Sequence, residues 1–89
     1  MDELFSKSQD ALRGFLHTEL QLAPTLIETA RAFVSCGNRA AALRSLYKAG
    51  EALRVVEHFY RRMPLEERAV ILQSVAKLRA NMDVVRRSV

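Results

Sequence analysis

The chain has 89 residues, of which about half are apolar and about a quarter charged, with a net charge of +4. That balance excludes a disordered chain, and the length suits one domain with a single core. Three Gly and two Pro leave too few turn residues for an all-β fold, while Ala, Leu, Arg, Glu and Lys favour helix.

The expected architecture is all-α: an antiparallel up-and-down bundle of three to four helices in a single domain, 1–89. Helices are expected at about 3–20, 24–36, 39–63 and 65–87. In the first, Asp2 serves as cap and Glu3 suits the positive end of the helix. Leu4, Phe5, Leu12, Phe15, Leu16 and Leu20 follow at helical spacing. Pro24 cannot donate to the carbonyl of Leu20 and disfavours helical geometry at Ala23, so a break or strong kink is expected there. A seam in near register through Leu22, Leu26, Ala30 and Phe33 keeps open the alternative of one long bent helix.

Gly37-Asn38 should close the second segment and cap the next helix. So short a connection makes the helices on either side antiparallel neighbours. From Arg39 to Met63 the chain carries Ala42, Leu46, Ala49, Leu53, Val56, Tyr60 and Met63 at alternating steps of four and three, one face of a helix. Leu43, Gly50 and Phe59 widen that stripe enough to touch two neighbours. Pro64 opens the last helix, with Glu66 and Glu67 in its first turn and Arg86 and Arg87 at its end. Its seam is Ile71, Val75, Leu78, Met82, Val85 and Val89, and this heptad-like stripe makes a homodimer an expected assembly.

Between Leu26 and Ala49, the positions Leu26, Ala30, Phe33, Gly37, Ala42, Leu46 and Ala49 resemble a tetratricopeptide helical hairpin. Thr29 departs from that pattern, as does the lack of a proline soon after Ala49. A hairpin with a long second helix and a third returning one also resembles the microtubule-interacting and transport domain. That resemblance implies binding of short helical or extended tails in grooves between helices.

No residue set points to catalysis. His17 and His58 have no metal-ligand partners at helical spacing, and a zinc site wants three or four converging ligands. No cofactor or metal is expected, and the chain is read as a non-enzyme. Cys36, the only cysteine, falls at a helix end that disfavours a thiolate, and is read as a small apolar residue under the hairpin turn. Tyr60 is read as core with its hydroxyl at the rim. Tyr47 is either an exposed recognition aromatic or packed on the first helix. Val55, on the polar row of the central helix, would mark a partner surface if exposed, as would Leu22 and Val84.

Charge is uneven. Residues 1–30 hold two basic and five acidic side chains, and residues 31–89 hold twelve basic and five acidic. Arg61, Arg62 and Arg68 are placed to form a basic patch across the last turn. The function expected is therefore a small protein-interaction or self-association module, working through an inter-helix groove or dimer face. A basic nucleic-acid-binding or regulatory protein is the runner-up. The acidic start has no long apolar run and no segment is long enough to span a membrane, so a cytoplasmic location is expected.

Overall fold

The computed structural model describes the backbone of residues 2–89 and the side chains of residues 8–89. Among them are three α-helices and no strand: α1 (Asp2–Ser35), α2 (Arg39–Phe59) and α3 (Leu65–Arg87), with a 3-10 turn at Tyr60–Arg62. The roles expected of Asp2, Glu3, Leu4 and Phe5 lie outside the described side chains. The longest dimension is 54 Å, close to the ~50 Å that the 34 residues of α1 span at about 1.5 Å per residue.

The break expected at Pro24 is absent, because α1 runs unbroken through it. An interior proline costs about 3 kcal/mol through its lost hydrogen bond and its clash with the preceding turn. Against that cost stand Leu16, Ala23, Ile27 and Ala30, all buried and all on one side of the helix. Each large apolar side chain so buried contributes about 1.5–3 kcal/mol. A break would turn one half of that row away from α2. The seam also runs through Ala23 and Ile27 rather than Leu22, which is exposed; Leu26 and Phe33 are only partly buried.

The turn after α1 forms as its residues dictate. Gly37 adopts φ +74°, the left-handed region that a residue with a Cβ rarely occupies. The Gly37 N–H donates to Val34 O at 3.0 Å and Asn38 N–H to Phe33 O at 2.9 Å, which satisfies the last carbonyls of α1. Asn38 then caps α2 by accepting from the Ala41 N–H at 3.1 Å. Cys36 is exposed in this turn rather than tucked beneath it, since it follows the last helical residue and leaves the seam.

On α2 the expected seam is buried at Ala42, Leu46, Ala49, Leu53 and Val56, and Ala41, Ser45 and Ala52 widen it. Ala23 and Ala30 on α1 and Ala42 and Ala49 on α2 are fully buried, and α1 and α2 form the most extensive interface in the molecule. Near the far end of α2, Phe59 meets Phe15 edge-on with ring centres 6.3 Å apart.

The helix expected to reach Met63 ends as α at Phe59. The residue before a proline is pushed out of the helical region, and Met63 is accordingly extended at φ −83°, ψ 157°. The 3-10 turn absorbs the change. Tyr60, expected in the core, is half-buried within that turn. Met63 is buried, and its carbonyl accepts from Arg68 Nε at 2.7 Å, a side-chain bond that steadies a junction with no capping side chain at Pro64.

α3 returns with Val75, Met82 and Val85 buried and Ile71, Leu78 and Val89 packed at the edge. It meets α2 where Met82 Cε lies 3.5 Å from the position a Cβ on Gly50 would take, and where Arg79 pairs with Glu57.

Two substitutions check this account. Pro24→Ala restores the bond to Leu20 in an intact helix and should stabilise the protein by about 1–2 kcal/mol in urea unfolding, after allowance for the freer unfolded chain. Loss of stability would show that Pro24 fits a local distortion. Gly50→Ala adds a methyl at ordinary contact distance and should contribute about 0.5–1 kcal/mol through helix propensity alone.

Candidate interaction groove

Between α1 and α3, beside the α2–α3 junction, a groove of about 240 Å³ opens. Leu16, Leu20, Met63, Val70 and Ile71 form its walls, and Arg13, His17, Glu66 and Glu67 its rim. Leu16 and Met63 are buried at its floor, whereas Val70 is 62% exposed and stands at its lip. The groove follows from the sequence of α3: Val70 precedes the seam residue Ile71, so apolar surface extends beyond what the hairpin can cover.

The rim is held by charge. Arg13 donates through Nε to Glu67 Oε1 at 2.7 Å and through Nη2 to Oε2 at 3.0 Å, a two-point clamp from α1 to α3. Its Nη1 donates to Asp10 Oδ1 at 2.7 Å. The hydrogen bond from Arg13 holds the Glu67 carboxyl below its ordinary value of 4.5, and the bond to Glu67 raises the Arg13 guanidinium in turn. Sequence reasoning missed this site. The charges 54 residues apart carry no signal of their pairing, and only the surplus Val70 beside the seam hinted at it.

The residues singled out from sequence do not converge on one site. Tyr47 is 66% exposed on α2, beside Leu43 and between Arg44 and Lys48, and does not pack on α1. Val55 is half-buried, which leaves it little to offer a partner, while Val84 and Leu22 are exposed on separate helices. Arg61 lies 6.0 Å from the Tyr60 ring centre and Arg62 5.1 Å from that of Phe59. Arg68 is half-buried and donates to the carbonyl of Met63, next in the chain to the exposed Arg61 and Arg62.

Both histidines are exposed, and no three His, Cys, Asp or Glu side chains among the described residues are grouped to hold a metal ion. No described helix is long and apolar enough to cross a membrane. No family model, curated protein or solved structure matches the chain.

The clamp makes stability depend on pH in one direction. A carboxyl whose value is lowered by folding stabilises the native state above its unfolded value, and that contribution is lost as pH falls through the lowered folded value. Thermal unfolding from pH 7 to pH 3 should show Glu67→Gln melting below the parent at neutral pH and converging with it in acid. Equal spacing of the two curves at every pH would show that the clamp contributes nothing.

Proposed function

We propose that this chain is a non-enzymatic protein-interaction module, an up-and-down antiparallel bundle whose α1–α3 groove takes an apolar segment of a partner. The observation that carries this reading is the groove itself: an apolar floor at Leu16 and Met63, an exposed lip at Val70, and a rim fixed by the Arg13–Glu67 clamp. Concave apolar sites with a few placed polar groups are where partners and ligands dock. The volume suits one or two large apolar side chains of an amphipathic helix, the helix-in-groove mode of recognition. The resemblance of the Leu26–Ala49 hairpin to groove-binding helical domains agrees with it, since Ala30, Ala42, Leu46 and Ala49 are all buried. The exposed free thiol of Cys36 suits a reducing compartment, in line with a cytoplasmic protein.

A displayed library of helical peptides, selected independently several times against the full chain, tests this. Winning peptides should shift the NMR signals of Leu20, Val70 and Ile71 and lose at least tenfold in affinity to Val70→Asp. That exposed substitution should change stability by no more than about 0.5 kcal/mol. Binding should also change little between low and moderate salt. A steep fall with salt and convergence on Arg61 and Arg62 would favour the basic nucleic-acid reading instead.

A further inference from the structure

α3 is apolar on two sides. Its core row, with Val75, Met82 and Val85, is buried against the hairpin. About 120° round the helix, at 100° per residue, runs a second row: Leu65, Ala69, Leu72 and Ala76. All four are exposed, Leu65 at 74% and Leu72 at 43%. Only three of the 23 residues of α3 are buried, against eight of 21 on α2. A helix with two apolar faces has room for a second neighbour.

We infer that this row pairs with the same row of a second copy of the chain, antiparallel, about a two-fold axis near Val70 and Ile71. That operation sets Leu65 against Ala76 of the second copy and Ala69 against its Leu72. Each large side chain meets a small one, so the row is complementary to itself. Charge supplies the independent argument. Glu66 and Lys77 flank the row on the same edge, and neither has an ion-pair partner among the described residues, whereas Glu67, Arg79 and Asp83 each have one. In an antiparallel two-fold pair like edges face each other. Glu66 then falls within about 3 Å, along the axis, of Lys77 of the second copy, twice by symmetry. On the opposite edge Arg79 is already held by Glu57.

The row spans roughly 17 Å, so the interface is at the small end of stable ones, and a dissociation constant on the order of 1–100 μM is expected. The inference rests on reading the chain as an interaction module, and its row lies beside the groove, sharing with it only the rim residue Glu66.

Sedimentation equilibrium of the full chain from 5 μM to 1 mM tests it. The parent should show a monomer–dimer equilibrium, and Leu72→Asp should abolish it while leaving helix content and the affinity of groove-selected peptides unchanged. Glu66→Lys and Lys77→Glu should each weaken the dimer about tenfold, the double exchange should restore it, and an equimolar mixture of the two single variants should associate more tightly than either alone. A parent that stays monomeric to 1 mM would overturn the inference. So would a dimer unmoved by Leu72→Asp and by the charge exchange. Either result would leave peptide binding at the groove to be judged on its own measurement.

Discussion

The close approach of α1 to α2 depends on side chains that take up almost no room. Ala23 and Ala30 on one helix and Ala42 and Ala49 on the other are fully buried, so the backbones come near enough for Leu16, Ile27, Leu46 and Leu53 to fill the remaining space. This interface keeps α1 unbroken through Pro24, fixes where Phe15 meets Phe59, and sets the ledge against which α3 packs. A larger residue at any of the four alanines would part the helices and leave voids that the neighbouring leucines could not close.

α3 docks on different terms. It rests along the edge of the hairpin through Val75, Met82 and Val85, and polar clamps hold it: Arg13 to Glu67 at one level, Glu57 to Arg79 further along. The groove and the second apolar row are both consequences of this partial seating. The wall of Leu20, Val70 and Ile71 exists because α3 is not pressed into α1 as α2 is, and Leu65 and Leu72 stay in solvent because the hairpin offers only one side.

The turn at Gly37-Asn38 and the central seam were legible in the sequence. Alternating steps of four and three from Ala42 to Val56 report the helix period directly, and Gly37-Asn38 is a backbone requirement written in residue types. Pro24 misled because its cost is local and readable, whereas the burial of Ala23 and Ile27 that outweighs it depends on a helix elsewhere in the chain. Cys36 misled for a related reason: a small residue beside a turn resembles core until the turn's direction is known. The Arg13–Glu67 clamp had no sequence signal at all, since no period links residues on helices that are not consecutive. Arg68 was read only as a surface charge, yet it also serves the carbonyl of Met63, a duty created by a proline junction without a capping side chain.

The order of burial also implies an order of assembly. The α1–α2 hairpin is closed by a turn of two or three residues, so its contacts can zip from the turn outward with little loss of chain entropy. α3 adds fewer buried side chains and can leave without disturbing the alanine interface. Local opening is therefore expected to begin at α3, whose amides should exchange at a lower free energy than those of α2. When α3 lifts, it bares the inner faces of α1 and α2, so the molecule carries within its native ensemble a minor form with a long, apolar, two-helix surface.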